Sequence, residues 1–337
     1  MIEPLYSPDE RRYDTMKYAR CGRSGVLLSR ISLGFWHNFG AGTPIAKARD
    51  IMRYAFDNGV VSMDLANNYG PPYGSAEETF GEIFRKDFRP YRDELFISSK
   101  AGYDMWPGPY GNWGSRKYLM ASLDQSLRRM GLDYVDVFYS HRFDPETPAE
   151  ETLTALVDIV RQGKALYIAL SRWPREEEEA AYRFLENHGC HCLLYQDRLN
   201  IFDRSSEQSG RLKAASKAGV GYIAFSPLAQ GLLTDRYLNG IPEGSRATQS
   251  KSLKAEQITP EVVERIKTLS QIAARRGQTL AQMATAWVLN RPGVTSAIVG
   301  CSSVQQLRDT ISSIDRLDFS EEELRLIDAA SGIKGEE

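Results

Sequence analysis

Eight times along the chain, a short β-branched or aromatic run is closed by a polar residue, an aromatic or glycine and is followed by a loop and, in most cases, a helix-like pattern. The runs cover residues 31–36, 60–64, 95–100, 135–141, 166–171, 192–196, 222–226 and 295–300. Between them the apolar residues recur at helical spacing over 44–58, 75–85, 116–130, 148–162 and 174–187, then 209–218, 281–290 and 304–312. Two extra helices are expected around 261–275 and 321–329. Gly59, Gly131, Gly163 and Gly189 each follow a helical stretch, where a left-handed C-cap favours glycine. Strands that are mostly apolar and alternate with helices imply a parallel sheet covered by helices. Eight such units close on themselves, so the expected fold is a (β/α)8 TIM barrel.

An open doubly wound sheet is the competing topology. A dinucleotide-binding version needs G-x-G-x-x-G after its first strand, and that pattern is absent here. The segment 16–28, with Gly22 and Gly25 between apolar runs, reads as a β-hairpin plugging the bottom of the barrel. The whole chain, 1–337, is expected to form one barrel domain with extra C-terminal helices over about 303–330.

Composition narrows the function. Of 337 residues 42% are hydrophobic and 26% charged, which suits a globular protein with a sizeable core. A formal net charge of −2 creates no global field for nucleic acid or an acidic membrane, so an anionic ligand must be held by a few local cations. No apolar run reaches the roughly 18 residues needed to span a bilayer. No signal-like stretch precedes Met16, and four scattered cysteines make no disulfide framework, so a cytoplasmic location is expected. Cys190, His191 and Cys192 lie close together, but their spacing is not a zinc pattern and Leu193 and Leu194 follow directly. They read as a buried strand start with inert thiols, and no metal is expected.

In a (β/α)8 barrel the C-terminal strand ends converge on one pocket. Asp64, Lys100 and His141 end three successive runs and should meet there. Taken singly, each has a plain explanation as a loop cap, a solvated lysine or a satisfied core histidine. Three coincidences at three strand ends is a poor account. Tyr69, in the loop DLANNYG (64–70), can return over the mouth. A nearby lysine favours the phenolate and is expected to lower the tyrosine's pKa from its ordinary value near 10, while Asp64 keeps the lysine charged. Reduction of a carbonyl needs a proton on oxygen and a hydride on carbon. Tyr69 can give the proton and His141 can hold the oxygen, whereas no side chain gives hydride, so a nicotinamide is required.

These residues carry a resemblance. DLANNYG, Lys100 closing FISSK and His141 closing DVFYSH resemble the catalytic tetrad of the aldo-keto reductases, over nearly the whole chain. GPPYGSAEE (70–78), the stretch 100–119, the stretch 123–142, and SPLAQGLLT (226–234) with YLNGIPEGSR (237–246) resemble the branch of bacterial L-glyceraldehyde 3-phosphate reductases, close to the potassium-channel β subunits. The resemblance implies NADPH/NADP+ as cofactor. It implies that Ser171, Arg172 and Gln196 hold the carboxamide of the nicotinamide, and that Phe225, before Ser226 and Leu228, stacks on its ring. Trp36 stands at the cofactor and substrate pocket. Gly231, Arg236 and Arg246 fall in the loop over the pyrophosphate and 2′-phosphate, with Asp235-Arg236 where Gly-Lys is usual. Gly300, Ser302 and Gln306 match a second phosphate-binding segment, with Asp309-Thr310 in place of Glu-Asn. Trp36 and Trp106 are expected to wall the substrate pocket, and Arg142 to meet a substrate phosphate. The related groups suggest a homo-oligomer, a tetramer or higher.

Two functions of different kind remain open at this level. One is a reductase of small carbonyls such as glyceraldehyde 3-phosphate, methylglyoxal or aromatic aldehydes. The other is a cofactor-sensing regulatory subunit, for which the resembling channel subunits have asparagine in place of the residue that is His141 here.

Overall fold

The computed structural model describes residues 6–238, 240–243, 245–249 and 253–333. A two-stranded antiparallel hairpin, β1 (Tyr18–Arg20) and β2 (Leu27–Ser29), precedes the barrel. The barrel strands are β3 (Ile31–Gly34), β4 (Ser62–Asp64), β5 (Phe96–Ala101), β6 (Val135–Ser140), β7 (Ala165–Ser171), β8 (Cys192–Arg198), β9 (Gly221–Phe225) and β10 (Val294–Val299). They pair in parallel in chain order, and β10 closes on β3. The expected (β/α)8 barrel with its N-terminal hairpin is therefore the observed fold.

The hairpin sits at the N-terminal ends of the strands. Arg23 N–H donates to Gly219 O just before β9, and Cys21 and Leu28 join Val137, Tyr139, Ala169, Leu194, Ile223 and Ile298 in an apolar cluster inside the barrel. This is the plug expected from residues 16–28. Most helices pack outside the strands with the punctuation their sequences suggest. The helix Arg116–Met130 is capped by Ser115, whose hydroxyl accepts from Tyr118 N–H, and ends at Gly131 with φ 68°. Thr279 and Gln282 form a capping box on Leu280–Asn290, and Ser320 and Glu323 do the same on Glu321–Ser331.

The strand bounds moved by a residue or two, and two helices differ in kind. The helix expected over 209–218 starts at Arg211, with Gly210 at φ 70° as its N-cap, and a separate short helix, Ser205–Gln208, precedes it. The helix from Ser75 ends as α at Ile83 and continues through a π turn, Phe84–Phe88. It lies so close to Arg116–Met130 that a Cβ at Gly81 would stand 2.3 Å from Arg129 O. A buried polar staple ties this pair of helices to β5: Glu77 accepts from Ser99 Oγ at 2.6 Å and from Arg129 Nε at 2.8 Å. These contacts fix the helices that flank the strand carrying Lys100.

Candidate active site

Asp64 and Lys100 lie on adjacent strands, and His141 follows β6 by one residue, its N–H donating to Ala101 O. Lys100 is fully buried, and its ammonium donates to Asp64 Oδ2 at 2.8 Å, to Leu65 O at 2.7 Å and to the Tyr69 hydroxyl at 3.4 Å. Tyr69 reaches this position through a tight turn. Its N–H donates to Ala66 O, Gly70 N–H donates to Trp36 O, and Gly70 holds φ 130°, where a Cβ would meet Pro72 O at 2.2 Å. His141 closes the group, its ring edge-on to Tyr69 at 5.8 Å between centroids. The four residues of the sequence expectation thus form one cluster at the C-terminal end of the barrel.

Asp64 is more heavily tied than the sequence suggested. Its Oδ1 accepts from Gln196 Nε2 at 2.9 Å and from Ser98 Oγ at 3.2 Å, leaving Oδ2 for Lys100. Gln196, expected only at the nicotinamide, is also the lateral support of the Asp64–Lys100 pair. Nothing in the sequence around Gln196 points to Asp64; only barrel closure brings β8 across to β4.

The electrostatics correct one expectation. Lys100 was expected to lower the Tyr69 pKa, yet burial pushes the phenol well above its ordinary 10, with Asp64 and Tyr103 adding in the same direction. The ammonium stands 3.4 Å from the phenol and 2.8 Å from Asp64, and burial outweighs it. Tyr69 therefore keeps its proton at neutral pH, the form a proton donor needs. Burial lowers the Lys100 pKa, opposed by Asp64 and then Glu77. The His141 pKa falls well below 6.5, through burial first and then the charges of Lys100, Arg172 and Arg142. A neutral imidazole can donate a hydrogen bond without adding a net charge.

Around the cluster, Ser171 and Gln196 stand opposite each other in the β7–β8 ladder, both buried. Positive φ values occur at Arg172 (53°), Ser226 (57°), Ala229 (47°), Gln230 (60°) and Gly231 (100°). Non-glycine residues held in this region gather where a backbone grips a ligand. These strand ends, with the half-buried ring of Phe225 and Leu228, offer a hydroxyl, an amide and an apolar face, a donor set that fits a nicotinamide. Arg236 is exposed, while the side chain of Arg246 lies outside the described residues. Gly300 precedes the helix Val304–Ile311, and Gln306 Oε1 accepts from Ser302 N–H at 2.8 Å. Thr310, at the second departure from the usual pair, turns its hydroxyl onto Gln306 O at 2.8 Å, and Asp309 accepts from Gln305.

The two tryptophans expected at the substrate pocket meet different neighbours. Trp36 is exposed, its ring tilted by 39° against His37 with 3.8 Å between centroids. Trp106 instead packs on Tyr118, 5.1 Å between centroids. The aromatic that meets His141 from this loop is Tyr103, at 4.7 Å, which sequence reasoning missed although it stands three residues after Lys100. Arg142 is held by Gly102 O at 2.6 Å and Asn112 Oδ1 at 2.9 Å, with its guanidinium 3.6 Å from the Trp113 ring centroid.

Among the described residues no group of three histidine, cysteine or acidic side chains stands together as a metal site, and His191 is engaged by Glu186 and Gly219 O. Burial pushes the Cys190 thiol up to about 11. Among the described residues no helix is long and apolar enough to cross a membrane.

A parallel eight-stranded barrel with Asp, Tyr, Lys and His gathered at its mouth defines a class, and a family model places the chain in it: residues 30–331 match the aldo/keto reductase family, and the chain belongs to that family. It is accordingly an oxidoreductase of a family that uses nicotinamide cofactors. Among individual proteins, the chain is 51% identical over 328 residues to an L-glyceraldehyde 3-phosphate reductase of Escherichia coli O157:H7, covering 96% of this chain and 95% of that one. The reductase of the same name from strain K12 is 50% identical over the same shares. A probable voltage-gated potassium channel subunit beta of Arabidopsis thaliana is 33% identical over 306 residues, 89% of this chain and 92% of its own length.

Proposed function

We propose that this protein is an NADPH-dependent reductase of small aldehydes, glyceraldehyde 3-phosphate and methylglyoxal among them, with Tyr69 as the proton donor. The observation that carries this reading is the buried chain Asp64, Lys100, Tyr69, with a neutral His141 beside it. The similarity to the named reductases supports the choice of substrate.

A bound nicotinamide supplies the hydride. Ser171, Arg172 and Gln196 would hold its carboxamide, Trp36, Phe225, Ser226 and Leu228 would serve its ring, and Gly231, Arg236 and Arg246 would take the phosphates, joined by Gly300, Ser302 and Gln306. His141 donates to the carbonyl oxygen and orients it. Tyr69 delivers its proton to that oxygen as negative charge develops there, and the Lys100 ammonium at 3.4 Å stabilises the phenolate left behind. Asp64 keeps the ammonium charged within a site that would otherwise strip its proton. Trp36, Trp106 and Arg142 shape the substrate side, the last offering a cation to a phosphate. The protein works as a single barrel domain in the cytoplasm, as a homo-oligomer of tetramer size or larger.

The test is the loss of NADPH absorbance with a panel of glyceraldehyde 3-phosphate, methylglyoxal and nitrobenzaldehyde, with Tyr69→Phe alongside. Turnover in the native protein and a loss of roughly a hundredfold or more in the variant, at unchanged NADPH affinity, is expected. Equal turnover by the two overturns the acid assignment. NADPH binding without turnover of any carbonyl favours a cofactor-sensing subunit instead; the 33% identical relatives are described as voltage-gated potassium channel subunits beta.

A further inference from the structure

Two observations at His141 do not fit a ring held by hydrogen bonds. Its Nδ1 is buried and has no hydrogen-bond partner among the described residues, and the ring is bracketed by aromatic neighbours. An imidazole held through a second-nitrogen bond has its orientation and tautomer set by that bond. Here that bond is absent, so packing must set the orientation. Tyr103 is the nearer of the two rings, 4.7 Å from His141 at 86° between planes, against 5.8 Å and 71° for Tyr69.

Tyr103 is itself immobilised. The Arg142 guanidinium lies 4.3 Å from its ring centroid, and Arg142 is locked in turn by Gly102 O, Asn112 and Trp113. Arg172, at the end of β7, donates from Nη1 to the Tyr103 hydroxyl at 3.2 Å. The loop after β5 is thereby fastened to the ends of β6 and β7 through one aromatic side chain. We propose that Tyr103 is a positioning residue, whose ring, fixed by Arg142 and Arg172, holds the His141 imidazole in the orientation that serves the substrate oxygen. The proposal rests on the reading that His141 meets the carbonyl, and extends it to a residue outside the tetrad.

The charged and titratable groups facing His141 are Lys100, Arg172 and Arg142, all cationic, with the phenols of Tyr69 and Tyr103. Removing the Tyr103 ring admits water to the imidazole and frees its rotation. Removing only the hydroxyl cuts the Arg172 link and keeps the ring contact. Tyr103→Leu and Tyr103→Phe separate these effects.

The experiment follows the imidazole ¹⁵N resonances of the holoenzyme against pH, His141 being one of four histidines and assigned by the signal missing in His141→Asn. The same variants are assayed for kcat and KM with an aldehyde, and for NADPH affinity by fluorescence as a check on folding. In Tyr103→Leu, the His141 titration is expected to move up from its native position as water reaches the ring, and kcat to fall roughly tenfold or more with KM changed less than about threefold. Tyr103→Phe should restore the native titration and most of kcat. A Leu variant with native resonance and native kcat overturns the proposal, as does a Phe variant as impaired as Leu. Should His141→Asn turn over normally, the carbonyl reading fails by itself, and the His141 resonance alone decides on Tyr103.

Discussion

Replacing Asp64 by Asn tests the centre of the site with almost no change of shape. In the native protein Asp64 takes three donors on two oxygens: Gln196 and Ser98 on Oδ1, Lys100 on Oδ2. Asparagine has a single oxygen. If it faces Gln196 and Ser98, its NH2 opposes the ammonium; if it faces Lys100, its NH2 opposes the Gln196 amide. At 2.8 Å and an effective dielectric constant of about 20, the lost charge attraction is about 6 kcal/mol. A retained dipolar contact and local relaxation return part of this, which leaves about 3–5 kcal/mol for breaking a buried pair. The pH dependence has a definite sign. The folded Lys100 pKa is already lowered by burial, and the variant loses the two Asp64 contributions that raise it. Between that folded pKa and the unfolded value the folded state binds fewer protons, so stability rises with pH there, and the rise starts at lower pH in the variant. Urea unfolding of both proteins at pH 6, 7, 8 and 9 should show the deficit largest at pH 6 and narrowing toward pH 9 as the variant's Lys100 sheds its proton. A deficit below about 1 kcal/mol at pH 6, or one that widens with pH, refutes the reasoning.

Three further outcomes are expected. Because the folded His141 pKa lies well below 6.5, kcat should carry no histidine limb between pH 6 and 8; a limb near 6.5 that vanishes in His141→Asn would contradict a neutral imidazole. The same depression means the unfolded chain takes up a proton that the folded one does not as pH falls below about 6.5, so acid should cost the native protein stability that His141→Asn does not lose. Arg236→Ala should weaken NADPH by roughly tenfold and NADH by less than about twofold in fluorescence titrations, the difference reporting the 2′-phosphate; equal weakening would remove Arg236 from that role.

The barrel was legible because its strands are short apolar runs alternating with helical stretches, and most runs are closed by a polar residue where the strand leaves the core for the mouth. Asp64, Lys100 and His141 could be placed from that pattern alone. What the pattern lacks is the lateral dimension. Gln196 reaching Asp64, and Tyr103 fastening His141 to Arg172, are contacts across the mouth between elements remote in sequence. The sign of the Tyr69 shift was likewise out of reach, since it depends on how far burial outweighs an ammonium already paired with Asp64. Gly210, read as part of the helix over 209–218, instead stands just before its start in a left-handed conformation.

The hairpin floor has a bearing on how the acid is recharged. Cys21 and Leu28 are fully buried against apolar side chains that fill the barrel below Lys100. This packed cluster separates the phenol from the solvent beneath the barrel. On the proposed mechanism, a proton given by Tyr69 would return through the same mouth that admits the aldehyde and releases the alcohol, so access to solvent, substrate entry and product exit would share one doorway. Recharging and substrate exchange are then consecutive events at a single opening, and a bulky occupant slow to leave delays both.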